Sequence, residues 1–363
     1  MRVVIRVDAS FKIGTGHVMR TLTLARELRN LGAEVLFICR DFPGKMSAAI
    51  QGEGYNASLL ARIAWEYKYR EGDPSHADWL SVPWEQDVEE TIEVLARSNP
   101  DWLVVDHYGI DQRWHARVRP HVGSIMVIDD LADRKLDCDL LMDQTFGREK
   151  QAYRPLIPGH CTLLLGTRYA LLRPEFARLR PRALEKRQQF QGIRRVLVSM
   201  GGSDTGNHTM PILEGLSDFL WKKPPVIDVV LGVNLLQKQK VEEQARFCFN
   251  QINILSDVTN MAELMLEADV SVGAGGTTSW ERCCMALPSI LVITAANQKD
   301  IGRQLHDYGA TITLPSPIRL RRQVKKAMAL LRDDRERYAE MSVKAAEVCN
   351  GDGAAEVAAE MTK

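Results

Sequence analysis

Ile13-Gly14-Thr15-Gly16-His17-Val18-Met19-Arg20 separates two stretches of different hydrophobic period. Before it, residues 2–7 (RVVIRV) form a short β-rich run that ends on Asp8. After it, Val18, Leu22, Ala25, Leu28 and Leu31 recur at helical spacing, and Gly32 suits the helix C-terminus. His17 therefore falls where a strand passes into a helix, beside Gly14 and Gly16, which let a ligand approach the backbone closely. The free N–H groups of such a helix start suit a phosphate, and their positive end disfavours imidazolium. A histidine placed there is expected to be neutral, the form that a general base requires. The expectation is that His17 is a catalytic base beside a nucleotide or sugar phosphate. A helix cap or a passive anion site is the plainer alternative. A dinucleotide fingerprint is a further rival, but Met19 stands where its third glycine belongs, and Asp41 sits behind Arg40.

The same strand–helix alternation continues through the chain and predicts a parallel α/β architecture. In the first half, strands are expected at 2–7, 34–39, 102–106, 124–128 and 138–142, with helices near 17–31, 45–54, 84–98 and 111–119. The aromatic, charged stretch 61–83 lacks a clear period and reads as a long loop or lid. Residues 173–192 are basic, carry two prolines and read as a solvated helix and linker, so the domains are placed at 1–180 and 181–363. The second half repeats the alternation, with strands at 194–200, 226–231, 252–255, 269–272, 289–293 and 310–313. The Ala- and Glu-rich tail, 333–361, reads as helical, with packing back across the first domain as an expectation.

At 363 residues the chain has room for two full cores. Lys plus Arg and Asp plus Glu number 47 each, so no global basic field draws it to nucleic acid. No apolar run approaches the roughly 18 residues of a membrane span. The charged first strand is unlike a signal peptide, so a cytoplasmic protein with no membrane partner is expected. A monomer is the working expectation. Cys39, Cys138, Cys161, Cys248, Cys283, Cys284 and Cys349 include no C-x-x-C pair and no zinc-like spacing, and are expected reduced. Asp137-Cys138-Asp139 resembles the D-x-D metal motif of some glycosyltransferases, but it lies in a run (DCDLLMDQ) that reads better as the start of a strand. Neither a metal nor another cofactor is expected.

In open parallel sheets, ligands bind outside the carboxyl ends of the strands. The chemistry-bearing loops of both halves fall there, which predicts a ligand held in a cleft between two domains. In the first half these loops are Asp106-His107-Tyr108-Gly109 and Asp129-Asp130-Leu131-Ala132-Asp133-Arg134. In the second they are Gly201-Gly202-Ser203-Asp204, Gly273-Ala274-Gly275-Gly276-Thr277-Thr278 and Asn297-Gln298. Gly275, Gly276, Thr277 and Thr278 open a helix and are expected to hold a diphosphate with backbone N–H groups and hydroxyls. Glu281, about a turn further on, suits ribose hydroxyls. Gly201, Gly202 and Asp204 would close over the phosphates, although Ser203 or Asp204 serves equally as a helix cap. Asp106, His107 and Tyr108 are candidates for holding the sugar, and the flat face of Tyr108 suits a deoxy sugar with acetamido groups. Asp129 is a candidate for orienting polar groups, whereas Asp130 and Asp133 read as stabilising caps. His76, His115, His121, His160 and His208 lie outside any such motif.

Together these residues resemble a known family. The span Arg6-Val7-Asp8 through Ile13-Gly14-x-Gly16-His17-x-Met19-Arg20 resembles the hallmark of the sugar-nucleotide hydrolases of pseudaminic acid biosynthesis, the UDP-2,4-diacetamido-2,4,6-trideoxy-β-L-altropyranose hydrolases. Asp106-His107-Tyr108-Gly109-Ile110, Asp129-Asp130-Leu131-Ala132-Asp133-Arg134, Met200-Gly201-Gly202-Ser203-Asp204 and Asn297-Gln298 are similar to that pattern too. The resemblance implies a glycosyltransferase-B-like fold, two Rossmann-like domains facing across a cleft, similar to the lipid-linked N-acetylglucosamine transferase of peptidoglycan synthesis. It implies that the Gly275–Glu281 region grips UDP, that the family's active-site histidine is His17, and that its tyrosine is Tyr108. Asp8, Gly14, Gly16, Arg20, Asn297 and Gln298 join the expected substrate-binding set. The implied reaction is metal-independent, inverting cleavage of the anomeric C–O bond by water, giving UDP and the free diacetamido-trideoxy sugar. An inverting glycosyltransferase using the same base, a hydrolase of a related nucleotide-linked diacetamido sugar, and a sugar-nucleotide-binding module without turnover are the alternatives.

Overall fold

The computed structural model describes residues 1–10, 12–42, 46–61, 67–201, 204, 206–232, 235–246, 251–256 and 258–363. The chain divides into two compact units, Met1–Leu171 together with Asp352–Lys363, and Leu172–Gly351. Each is built on one parallel sheet with a Rossmann-like order.

The first unit contains β1 (Arg2–Val7), β2 (Glu34–Arg40), β3 (Asn56–Leu60), β4 (Trp102–Asp106), β5 (Ser124–Ile128), β6 (Leu140–Asp143) and β7 (Thr162–Leu165). Their order is β3-β2-β1-β4-β5-β6-β7, all parallel. Central strands are buried on both faces, as helices covering both sides of a parallel sheet require, so β1 and β4 are mainly apolar, with Arg6 and Asp106 as buried exceptions. The strands β3 and β7 stand at the two edges, are short and partly exposed, and carry too little apolar signal to be expected from sequence.

The second unit contains β8 (Arg195–Ser199), β9 (Val226–Leu231), β10 (Ile252–Ser256), β11 (Val270–Ala274), β12 (Ser289–Val292) and β13 (Thr311–Leu314). Their order is β10-β9-β8-β11-β12-β13, again all parallel. Each sheet thus has one place where the winding reverses, between β1 and β4 in the first unit and between β8 and β11 in the second. Such a switch point leaves the two flanking loops diverging, and a crevice opens between them.

Two sequence expectations are corrected. The basic stretch 173–192 is no linker. Its helix, Pro174–Gln188, buries Phe176 and Ala183 and belongs to the second unit. Arg180 donates to the carbonyls of Cys284, Cys349 and Ala346 at 2.7–2.8 Å, and Arg187 to those of Met265 and Ala268. These two arginines satisfy carbonyls of neighbouring elements, while Arg178 and Arg182 face water, and the division falls at Leu171/Leu172, not at 180/181. The tail is also two helices, Arg335–Val348 and Gly353–Met361, broken at Gly351, whose φ of 97° an L side chain rarely adopts. After the break, Ala354, Val357, Ala358 and Met361 join the first unit's core with Val18, Leu22, Ala25 and Leu28 of the helix Gly16–Asn30.

A buried ionic network lies under the first switch point. Arg6 grips Asp8 with two bonds at 2.6 and 2.9 Å and reaches Asp87 at 2.7 Å, while Arg40 also binds Asp87 at 2.7 Å. Asp8 further accepts the Arg40 N–H at 2.7 Å, and Asp87 accepts from Trp114 Nε1 at 3.0 Å. Removing one partner of such a buried set strands a charge, at a cost of about 3–5 kcal/mol. Among the described residues no disulfide links the cysteines, and no helix is long and apolar enough to cross a membrane.

Candidate active site

Strand register assembles the first site. Val7 pairs with Asp106, so the turn leaving β1 and the loop leaving β4 emerge side by side at the switch point. The Gly14 N–H closes the β1 turn by donating to the Ser10 carbonyl at 2.8 Å, and the helix Gly16–Asn30 starts without a side-chain cap from Thr15. Among the described residues no side chain caps its first N–H groups, the arrangement that favours an anion.

His17 and Arg20, one turn apart on that helix, both address Asp106. His17 Nδ1 lies 2.6 Å from Asp106 Oδ1, while Arg20 holds the same carboxylate through Nε at 2.7 Å and Nη2 at 2.6 Å. Burial alone would raise the Asp106 carboxyl; the Arg20 charge, then that of His17, overcome it and hold it well below the usual carboxylate range. An ionised carboxylate only accepts, so Nδ1 donates to it and Nε2 is the ring nitrogen turned away from it. The 3.2 Å approach of Arg20 Nη2 to Nδ1 is then a contact without a shared proton.

Tyr108 packs edge-on to the His17 ring at 4.7 Å between centroids. Its hydroxyl donates to Asp130, which also accepts from Arg20 Nη1 at 3.0 Å. Burial, and then the Asp130 charge, push the Tyr108 phenol well above its ordinary range, so it stays a donor. Asp130 is thus no loop cap, as expected from sequence, but the link between Tyr108 and Arg20. Asp129 does stabilise its loop: it accepts the Leu131 and Ala132 N–H groups, the Tyr153 hydroxyl and Arg134, all between 2.8 and 3.2 Å.

Asp8 and His107 are corrected to a supporting place. Asp8 is fully buried on Arg6 and the Arg40 N–H, with His107 Nε2 at 3.3 Å from its Oδ2, and His107 Nδ1 accepts the Gly109 N–H at 3.1 Å. Both are buried. Gly109 is required by close approach, because a Cβ there would stand 2.6 Å from the His76 carbonyl oxygen. The expected D-x-D residues are engaged as well: Arg119 binds both Asp137 and Asp139, and Asp139 also accepts the Ile125 N–H at 2.7 Å.

Residues missed from sequence complete the first site. Trp79, in the expected lid, meets the His17 ring edge-on at 5.9 Å and tilts over Tyr108 at 5.3 Å. The deeper Arg6, Arg40 and Asp87 support Asp8 from below. The aromatic density of 67–84 was the one signal for Trp79; Arg6 stood in the quoted span Arg6-Val7-Asp8 without a role, and nothing local marks Arg40 or Asp87.

The second switch point has different chemistry. Gly201 follows β8, and Gly275 and Gly276 follow β11; the helix Thr277–Cys284 begins directly after Gly276 without a side-chain cap. Gly275, Gly276, Thr277 and Thr278 are half-buried. Gln298 packs on Gly275, and its Oε1 accepts the Thr294 N–H at 2.9 Å. Asp204 takes the capping alternative, accepting from the His208 and Thr209 N–H groups at 2.9 and 3.0 Å. Glu281 lies one turn into the helix; burial pushes its carboxyl up, against the charges of Arg173 and Arg282. Gly202 and Ser203 lie outside the described residues, as does the side chain of Asn297.

Two Rossmann-like units with loops of this kind at their switch points are the architecture of the glycosyltransferase-B fold, and the chain has that fold. It is similar in structure to MurG of Acinetobacter baumannii, with a TM-score of 0.71 over 99% of both chains at 14% identity. The family described as glycosyltransferase family 28 C-terminal domain matches residues 218–360. In sequence the chain is 24% identical over 269 residues to the UDP-2,4-diacetamido-2,4,6-trideoxy-beta-L-altropyranose hydrolase of Campylobacter jejuni, covering 74% of this chain and 83% of that protein. It is 23% identical over 315 residues to an uncharacterized protein of Methanocaldococcus jannaschii, a match covering 85% of this chain and 58% of that protein.

Proposed function

We propose that this protein hydrolyses a UDP-linked diacetamido-trideoxy hexose, UDP-2,4-diacetamido-2,4,6-trideoxy-β-L-altropyranose, with His17 as general base. The observation that carries the reading is the His17–Asp106–Arg20 constellation, which fixes the imidazole tautomer and leaves Nε2 free. Likeness to the Campylobacter jejuni hydrolase supports the substrate class and the use of water.

In the proposed step, His17 Nε2 takes a proton from water as the water oxygen forms a bond to the anomeric carbon. The bond from that carbon to the phosphate oxygen breaks, and UDP leaves with the electron pair. Asp106 then faces an imidazolium and stabilises it, as an orienting carboxylate does in hydrolytic triads. One positioned base of this kind contributes about 10²–10⁴-fold. Gly275, Gly276, Thr277 and Thr278 are proposed to hold the diphosphate, whose developing charge meets backbone N–H groups, so neither a strong acid nor a metal is required. Glu281 is proposed for the ribose. Attack from the side opposite the diphosphate inverts the anomeric centre. Asp106 and Tyr108 are positioning residues in this scheme.

Transfer to an acceptor hydroxyl is the second reading, supported by the family 28 match and the likeness to MurG. The two separate in acceptor-free reactions run in ¹⁸O-labelled water. Hydrolysis by this route gives equimolar UDP and free sugar, with the label on the sugar and an inverted anomer in the first NMR spectra. Label on UDP overturns C–O cleavage, and no sugar release without an acceptor favours transfer.

A further inference from the structure

The stretch read from sequence as a lid is pinned from residue 67 onward. Asp73 accepts from the Tyr67 hydroxyl at 2.6 Å and the Arg70 N–H at 2.8 Å, and the Tyr69 hydroxyl donates to the Ser75 carbonyl at 2.9 Å. Lys12, just before the Gly14 turn, pairs with Asp78, while Ala77, Leu80 and Val82 are buried. These anchors hold the 3-10 helix Ala77–Leu80, and with it Trp79, at one position. The Trp79 ring is only half-buried, yet it meets four rings: Tyr108 at 5.3 Å, His17 at 5.9 Å, His76 at 4.7 Å and His107 at 6.3 Å. His17 is thereby flanked by two aromatic rings, Trp79 and Tyr108, each nearly perpendicular to it.

This wall offers a sugar few hydrogen-bonding groups. The Tyr108 hydroxyl is already donated to Asp130, and the Asp106 oxygens are taken by His17 and Arg20. A sugar hydroxyl laid on the ring faces, away from the Trp79 indole N–H and the Tyr108 oxygen, loses water and gains no partner there, whereas a methyl or methylene gains apolar burial. We infer that Trp79 is a specificity-determining residue that selects, by direct contact, sugars presenting an apolar deoxy edge over hydroxyl-rich hexoses. The inference rests on the reading of His17 as the base of a UDP-sugar hydrolase and deepens it.

An apolar wall rejects an added hydroxyl by no more than about 10²-fold, which sets the scale of the test. The kcat/KM of wild type, Trp79→Ala and Trp79→Phe is compared on the 6-deoxy UDP-sugar and its 6-hydroxy counterpart. Wild type is expected to favour the deoxy sugar by about 10- to 100-fold, with Trp79→Ala reducing that ratio to within about threefold, chiefly through KM, and Trp79→Phe lying between. An unchanged ratio in a folded Trp79→Ala overturns the inference while leaving hydrolysis intact. Should that variant unfold, Trp79→Phe decides by the same ratio. A direct readout separates the two ideas if wild type hydrolyses neither sugar. The Trp79 emission, taken as wild type minus Trp79→Phe, is expected to change on adding the free deoxy sugar and not its 6-hydroxy analogue. A flat or equal response overturns the contact.

Discussion

The two switch points solve opposite problems with opposite residues. At the first, His17, Arg20, Asp106 and Tyr108 are all under 9% exposed and interlocked through charge-assisted bonds. At the second, half-buried glycines and threonines present backbone and hydroxyls, and the helix start has no side-chain cap. The first arrangement fixes a ring and a proton. The second leaves backbone and hydroxyl donors, the kind of group proposed above to hold the diphosphate. A Rossmann-like crevice is thus a place, and the chemistry is decided by whether charged side chains or bare backbone fill it.

That contrast is broken most severely at Asp106. Asparagine there keeps the shape but turns an N–H toward His17 Nδ1, selecting the tautomer that protonates Nε2. Asp106→Asn is expected to lower kcat by at least about 10²-fold with little change in UDP affinity. Equal losses in kcat and UDP affinity would place Asp106 in the wrong half of the comparison. On the other side, Glu281→Ala is expected to weaken UDP binding about tenfold by calorimetry, with kcat at saturation changing far less. Unchanged affinity removes the ribose contact.

A smaller effect tests how dry the first unit is. His115 is fully buried, and burial, helped by Arg134 and Arg119, lowers its pKa to about 3. The unfolded chain takes up a proton near pH 6.5 that the folded chain refuses until about 3, so this stability is present above 6.5 and lost as pH falls. At pH 5 the loss is about 2 kcal/mol. Denaturant unfolding at pH 7.5 and 5 should show that loss in wild type and a shallower one in His115→Gln. Equal slopes would refute the assignment.

Much of this was legible because strand ends carry local signals. Glycine turns after apolar runs located His17, Tyr108, Gly201 and Gly276 at the carboxyl ends of β1, β4, β8 and β11. What was not legible depends on partners distant in sequence. Asp130 looks like a capping aspartate until Arg20, 110 positions away, and Tyr108 reach it. Arg6 and Asp87, separated by 81 positions, are both polar residues in segments whose patterns give no reason to bury them. The return of the tail to the first unit was read from its Ala-rich pattern, but the break at Gly351 that lets Gly353–Met361 make it was not. Trp79 lay in an aperiodic stretch, where no hydrophobic period says which face is inside.

The claim on which the account depends is that the His17 Nε2 lone pair takes the proton from water. Single-turnover hydrolysis of the UDP-sugar by His17→Asn, alongside UDP calorimetry, tests it most directly. The account predicts a rate at least about 10²-fold below wild type with UDP affinity nearly unchanged; a near wild-type rate would contradict it.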